Sequence, residues 1–196
     1  WLQPIQEVLN GFSDVGVVSG TSFFQQVING EPVTAIGALH IKNGMVLVAK
    51  KDFCGRADPP CGVADFEGTT VGVSRDGRVP VEKLFKEHGV TANVVSKGFG
   101  ISDLMNGNYA GASLMMFNEV GLLYESLNQA TGYLYQPEDF IIWEGLSPAV
   151  DELIVARDDV LAARGDTLKS FLRGLIKAWT HCRDNEEACV NMLPNS

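Results

Sequence analysis

The feature that most restricts the fold of this sequence is the alternation of short apolar runs with amphipathic stretches. Runs such as DVGVVS (14–19), MVLVA (45–49) and AGASLMM (110–116) are apolar or small on both faces, which predicts strands that are buried on both sides. The stretches between them have helical apolar spacing, and VPVEKLFKEHG (79–89) ends at a Gly as helices commonly do. This alternation predicts an α/β protein whose sheets are mainly parallel.

One supersecondary pattern occurs twice: a helix end, an Asn-Gly turn, a buried strand and a second helix. The first copy covers residues 8–24 and the second covers residues 104–121. Two copies so far apart predict two lobes, each with its own sheet, whose strand ends would face a shared ligand cleft. The simpler alternative is that Asn-Gly only punctuates helix–strand junctions.

Composition narrows the range of partners. The 196 residues are 45% apolar and 20% charged, which suits a packed globular protein. Fifteen basic against 24 acidic residues give a net charge of −9, so the basic face that a nucleic-acid partner requires is not expected. No apolar run reaches the roughly 18 residues of a membrane-spanning helix. The sequence begins at Trp1 without a Met, so we expect a mature or excised form, in which a missing signal peptide says little about location.

Four cysteines form two pairs with equal spacing. Cys54 and Cys61 bracket a Gly/Pro-rich loop that can fold back on itself, which favours a disulfide and an oxidising compartment. Cys182 and Cys189 would be about 10.5 Å apart along an unbroken helix, too far to bond. That pair closes only if the helix breaks near Asp184-Asn185, and otherwise both are free buried cysteines. A zinc site is not expected, because no C-x-x-C is present.

Four segments together carry a family resemblance: LNGFSDVGVVSGTSFFQQVINGEPVTAIGAL (9–39), MVLVAKKD (45–52), DFEGTTVGVSRDG (65–77) and LMNGNYAGASLMM (104–116). Their order and spacing resemble the type II periplasmic substrate-binding proteins of ABC importers. The branch that they resemble most is named for thiamine pyrimidine synthases, with alkanesulfonate, nitrate and taurine binders as relatives. The resemblance implies a two-lobed α/β fold, each lobe a mainly parallel sheet flanked by helices, with the ligand cleft between the lobes.

The resemblance also implies a division of the chain. Lobe I would comprise residues 1–50 and 150–196, lobe II residues 65–147, and the hinge or crossover region residues 51–64 and 148–151. Family members usually begin about 45 residues ahead of Trp1 and continue past Ser196. Lobe I is therefore expected to be incomplete, and a homodimer could supply what is missing. The apolar stripe of LKSFLRGLIKAW (168–179) is expected to pack in the core.

Turns at the carboxyl ends of strands supply most of the candidate ligand contacts. The turn at 19–22 offers N–H groups and hydroxyls that suit an anion or a polar ring, although the same residues would cap a helix in any case. The turn at 74–78 resembles the family loop that contacts phosphate or acid, and Arg75 is a better candidate there than Arg78. The full candidate set is Ser19, Thr21, Ser22, His40, Ser74, Arg75, Gly77, Phe99 and Asn118.

Two of these candidates, His40 and Phe99, could contact an aromatic ring of the ligand. A third, Asn118, could replace an acidic residue of the family. His40 follows an apolar strand and could stack on a ring or hydrogen-bond it. Phe99 is a candidate stacking face in a Gly-rich stretch, although aromatics are more often core. The pyrimidine-binding branch carries an acidic residue near the position of Met116, and Asn118 or Glu119 could replace it.

The resemblance implies an extracytoplasmic, periplasmic solute-binding protein that carries out no chemistry and needs no cofactor or metal. It would capture a small polar or anionic molecule, such as a thiamine-precursor pyrimidine or a sulfonate, for the membrane subunits of an ABC importer. The alternative is a ligand-sensing or interaction module with the same fold. A pyrimidine-synthase-like enzyme is less favoured, because the segment EDFIIWEGLSPAVDE (138–152) lacks the cysteine-rich run of those enzymes and no general catalytic motif is present.

Overall fold

The computed structural model describes residues 4–40, 42–56, 60–146, 150 and 152–193. The chain divides into two compact units, one formed by Trp1–Leu39 with Glu152–Ser196 and the other by His40–Asp151. The helices are α1 (Pro4–Leu9), α2 (Gly20–Ile28), α3 (Arg78–Glu87), α4 (Ser102–Met105), α5 (Glu119–Tyr124), α6 (Asp158–Asp184) and α7 (Glu186–Val190). The strands are β1 (Val15–Val18), β2 (Val33–Ala38), β3 (Met45–Lys50), β4 (Thr70–Val73), β5 (Asn93–Ser96), β6 (Gly111–Met115), β7 (Phe140–Trp143) and β8 (Leu153–Arg157). None of the described helices is long and apolar enough to cross a membrane.

The first unit has a three-stranded sheet in the order β1–β8–β2. The late strand β8 lies between the two early strands and runs antiparallel to both. Helices α1 and α2 cover one face through a cluster that contains Ile5, Val8 and Val155, and α6 covers the other through Val160 and Leu168. The central strand β8 is therefore buried between two helical layers.

The second unit has a five-stranded sheet in the order β5–β4–β6–β3–β7. Strand β4 runs parallel to β5 and β6, whereas β3 runs antiparallel to β6 and β7. Alternate residues of β3 enter two different clusters, Leu47 on the α3 side with Phe85, and Val48 on the α5 side with Leu123. Five of the six residues of β3 are buried for this reason.

The α/β class and the two separate sheets agree with the prediction from the sequence. The prediction that the sheets are mainly parallel is wrong. Every pairing in the first sheet is antiparallel, and the second sheet is mixed. The error arises because a strand buried on both faces looks the same in sequence whether its neighbours are parallel or antiparallel.

The expected lobe boundaries also need correction. Residues 1–50 were assigned to lobe I, but the first unit ends at Leu39, because β3 pairs with β6 and β7 of the second sheet. The expected hinge segment 51–64 belongs to the second unit. In the other expected hinge, residues 148, 149 and 151 lie outside the described residues.

The prediction that the apolar stripe of α6 packs in the core is wrong for most of the stripe. Leu168 is buried and Leu172 lies against Gly37 of β2. Three other residues of the stripe, Phe171, Ile176 and Trp179, are between 47% and 65% exposed. Helical periodicity shows which residues share a face, but it does not show what covers that face.

Both cysteine pairs are disulfides. Cys54–Cys61 closes the loop after β3, as the sequence favoured. Cys182–Cys189 also forms, because α6 ends at Asp184 and Asn185 leaves the helical region with φ −141° and ψ 54° before α7 begins. The helix therefore breaks at Asp184-Asn185, as the bond between these two cysteines requires.

Candidate functional site

Three parallel strands of the second unit end at the same edge of its sheet. Strands β4, β5 and β6 run in one direction, and Ser74, Lys97 and Met116 are the residues that follow them. Helix α3 begins at Arg78 and α5 at Glu119, each shortly after its strand. In α/β proteins this edge, beyond the strand carboxyl ends, is the usual place for ligands.

A hydroxyl network holds the turn between β4 and α3. The backbone N–H of Ser74 donates to Ser113 Oγ at 2.8 Å, and the two hydroxyl oxygens lie 3.3 Å apart. The N–H of Gly77 donates to the carbonyl of Ser74 at 3.1 Å, with the Ser74 hydroxyl 3.3 Å away. Ser113 lies on β6 and is 2% exposed, so a buried side chain of the neighbouring strand fixes the turn.

Gly77 is required in this turn for space. A Cβ at Gly77 would lie 2.7 Å from Ser113 Oγ and 2.9 Å from Met45 Sδ. Its φ of −81° is open to any residue, so the close approach of the backbone to β3 and β6 is what excludes a side chain.

The two arginines of the turn have different surroundings. Arg78 donates to the carbonyl of Val94 at 3.1 Å and forms an ion pair with Glu82 at 3.0 Å. Arg75 is exposed and makes no hydrogen bond or ion pair with any residue that the structure describes. The backbone amides of Arg75 and Asp76 are likewise unbonded within the described residues. One uncommitted guanidinium and two uncommitted N–H groups therefore occupy this turn, which suits an anion.

A buried ion pair lies at the same edge. Lys97 Nζ is 3.9 Å from Glu119 Oε1, and the two side chains are 4% and 7% exposed. Lys97 also donates to the carbonyls of Gly98 at 3.0 Å and Gly100 at 3.2 Å, and Glu119 accepts the N–H of Met115 at 3.0 Å. Burial lowers the pKa of Lys97, and the carboxylates of Glu119 and Asp103 oppose that shift.

The remaining candidates of the second unit lie in the adjoining loops. The His40 ring stacks on Phe117, with the ring centroids 4.8 Å apart, so its stacking partner is within the protein. Phe99 is fully exposed in the loop after β5. Asn118 is exposed and precedes α5, but its side chain makes no capping hydrogen bond.

The candidates of the first unit form one turn between β1 and α2. Ser19 is the N-cap of α2, and its hydroxyl accepts the N–H of Ser22 at 3.2 Å. The hydroxyls of these two serines are 3.1 Å apart. Thr21 is exposed in the first turn of α2. The capping alternative is therefore present, and it occupies the serines while leaving Thr21 to solvent.

Sequence reasoning missed Ser113 entirely and did not pair Lys97 with Glu119. The only signal for Ser113 is a lone hydroxyl inside the apolar strand GASLM. Within the described ranges, no group of three or more His, Cys, Asp or Glu side chains could hold a metal ion.

The family model described as NMT1/THI5 like matches residues 2–188 of this chain. No curated protein matches it.

Solved structures with the same fold include several binding proteins. The periplasmic aliphatic sulphonate-binding protein SsuA from Escherichia coli has a TM-score of 0.71 at 12% identity, over 94% of this chain and 61% of that chain. The ligand-binding component of an ABC-type import system from Staphylococcus aureus, with zinc bound, has a TM-score of 0.65 at 13% identity, over 98% and 65%. The alkanesulfonate-binding SsuA from Xanthomonas axonopodis pv. citri, bound to MOPS, has a TM-score of 0.64 at 13% identity, over 97% and 65%. This chain thus spans less than two thirds of each protein.

Proposed function

Because this chain belongs to the NMT1/THI5-like family, we propose that it is a solute-binding protein that captures a small polar or anionic molecule. Its partners would be the membrane subunits of an ABC importer. The fold similarity to binding components of ABC import systems supports this role.

The observation that carries the proposal is the turn from Ser74 to Gly77. Arg75 supplies a cation that has no other partner among the described residues, and the adjoining amides supply donors of fixed direction. The hydroxyl of Ser113 holds the turn in place before any ligand arrives. A preorganised site of this kind loses little conformational entropy on binding.

The chemistry of the turn favours an anionic group such as a sulfonate or carboxylate. With a net charge of −9, the protein as a whole repels anions, so capture depends on this local cation. The sulfonate ligands named for the Escherichia coli and Xanthomonas proteins fit the same chemistry. A thiamine-precursor pyrimidine is the second candidate, with Phe99 as its stacking face and Asn118 as its hydrogen-bonding partner.

The proposal includes release of the ligand unchanged. The Ser74 and Ser113 hydroxyls bond to each other and to backbone amides, so neither is paired with a base as an activated nucleophile would be. A ligand-sensing or interaction module with the same fold is the alternative, and a pyrimidine-synthase-like enzyme is less favoured.

An extracytoplasmic location fits this role. Two disulfides among the described residues favour an oxidising compartment, and the Escherichia coli neighbour is named as periplasmic. A homodimer, which could have completed lobe I, has no support from the comparisons, and we do not propose it.

Replacement of Arg75 by Ala tests the anion site. A charge-assisted hydrogen bond is worth about 1.5–3 kcal/mol, so the Kd for a bound sulfonate should rise about tenfold or more by calorimetry. The melting temperature should stay unchanged, because Arg75 is exposed and makes no hydrogen bond or ion pair with a described residue. Arg173→Ala on α6, also an exposed arginine, is the matched control and should leave Kd unchanged.

A thermal-shift screen of the wild type with sulfonates, nitrate and thiamine-precursor pyrimidines sets the reference. If none of these ligands stabilises the wild type, the solute-binding role in this form is wrong and the interaction module is favoured. That the turn at 19–22 holds the same ligand stays a prediction, which Thr21→Val tests by the same calorimetry.

A further inference from the structure

Resting on the proposed solute-binding role, we propose that Lys97 and Glu119 are positioning residues. Their buried charge pair fixes the loop 98–100, which presents Phe99 beside the binding edge.

The ammonium group of Lys97 acts as a strap for this loop. It donates to two carbonyls within the loop, those of Gly98 and Gly100. Gly100 has φ 97°, a conformation that a glycine adopts readily but that only tertiary contacts hold in place. Lys97 is itself fixed, because its backbone N–H continues the sheet by donating to the carbonyl of Val73 at 2.8 Å.

Glu119 connects the strap to the next strand end. One carboxylate oxygen accepts the N–H of Met115, the last residue of β6, and the other faces Lys97. Glu119 is also the first residue of α5, where a carboxylate interacts favourably with the helix N-terminus. One ion pair therefore joins the end of β5, the end of β6 and the start of α5.

Stability alone is a weak reason for such a pair. Removing two charges from water costs about as much as their attraction returns, and apolar replacements are often neutral. What the pair supplies is a defined geometry at a place where two loops meet the ligand. It also neutralises Lys97, so that the uncommitted Arg75 supplies the positive charge of the turn.

The loop has space to move into when the strap is lost. A cavity of about 120 Å³ adjoins it, lined among others by Lys97, Phe99 and Tyr109. Phe99 is fully exposed, so its own packing does not hold the loop in place. The polar strap is therefore the element that keeps this aromatic ring at the edge.

The test is the double variant Lys97→Met/Glu119→Gln, which removes both charges and keeps an acceptor for Met115. Its matched control is Lys83→Met/Glu87→Gln, which removes an exposed ion pair of 3.7 Å on α3. For each protein, ¹⁵N order parameters of Gly98 and Phe99, the melting temperature and the Kd for MOPS are measured.

We expect the order parameters of Gly98 and Phe99 to fall from about 0.85 to below about 0.6 in the double variant. The Kd for MOPS should rise about tenfold, while the melting temperature stays within a few degrees of the control. Unchanged order parameters, or a mobile loop with unchanged Kd, would overturn the proposal.

Two safeguards keep the result decisive. If the Met/Gln variant does not fold, Lys97→Gln/Glu119→Gln removes the same charges with a polar side chain at residue 97. If the wild type does not bind MOPS, the sulfonate form of the proposed function fails. The order parameters still decide whether the pair fixes the loop.

Discussion

The two strand-to-helix turns use the same residue types but are held in different ways. In the first unit, Ser19 follows β1 and its hydroxyl accepts an N–H only three residues away, from Ser22. In the second unit, Ser74 follows β4, and its N–H donates to Ser113 on a neighbouring strand. The first turn is organised by its own sequence, and the second by a contact across 39 residues.

This difference bears on what each turn can do. A local cap satisfies one N–H and is common at helix starts whether or not a ligand binds. A turn fixed by a buried side chain keeps its remaining donors in place, which lowers the entropy lost on binding. The second turn also contains the uncommitted Arg75, so the comparison favours it as the primary anchor of a ligand.

The largest contrast between the units should come from their disulfides. Cys54→Ser/Cys61→Ser should lower the free energy of unfolding by about 2–3 kcal/mol, because the bond closes a short loop against the core and Cys61 is buried. Cys182→Ser/Cys189→Ser should cost about 0.5 kcal/mol or less, since α7 contributes no buried residue and can detach locally. Urea denaturation without reductant measures both. Equal losses would contradict the comparison.

A smaller contrast should separate the two serine contacts. Ser113→Ala should cost about 1–3 kcal/mol, because it removes the buried acceptor of the Ser74 N–H. Ser19→Ala should cost about 1 kcal/mol as the loss of an N-cap. We also expect Ser113→Ala to weaken ligand binding more than Ser19→Ala does, as calorimetry would show. The opposite order would make the first turn the primary anchor.

The smallest effect concerns one carboxylate of each unit. The pKa of Asp65 is lowered by hydrogen bonds from Arg56 and Gly62, and that of Asp159 mainly by Arg157. Since each folded-state pKa lies below 3.8, the unfolded chain binds protons first as the pH falls. The stabilisation is present above about pH 4 and is lost on acidification through the lowered pKa values.

NMR titration of the carboxyl carbons measures these two pKa values directly. Arg56→Gln should raise the pKa of Asp65 and leave Asp159 unchanged, and Arg157→Gln should do the reverse. A pKa of Asp65 that stays lowered in Arg56→Gln would show that the backbone contact to Gly62 is the larger cause.

Features of the fold that depend on neighbouring residues could be predicted from the sequence, and those that depend on distant segments could not. The break at Asp184-Asn185 and a helix cap within residues 19–22 depend on neighbours in sequence, and the sequence contained signals for both, although the capping residue is Ser19. The insertion of β8 between β1 and β2 depends on pairing between distant segments, and VGVV is equally apolar beside a parallel or an antiparallel neighbour. The assignment of β3 to the wrong lobe has the same cause.

The residues of the candidate site likewise separate into those that the sequence could predict and those that it could not. Ser74, Arg75 and Gly77 could be chosen because they follow an apolar run and precede a helix. Ser113 could not, because a lone Ser in GASLM has a role only once the register of β6 against β4 is known. For the same reason, the pairing of Lys97 with Glu119 could not be predicted from the sequence, in which both look like ordinary charged residues.

The insertion of β8 has a consequence for the order in which the chain folds. The second unit is one continuous stretch, His40–Asp151, so it can form without any later part of the chain. The first unit must wait, because Val15 pairs with Ala156 whereas Val71 pairs with Val94. Closing a loop about six times longer costs roughly 1.6 kcal/mol more. We therefore expect β1 and β2 to remain without their central strand until β8 joins them, a period in which their edges are open to chaperones or to misassembly.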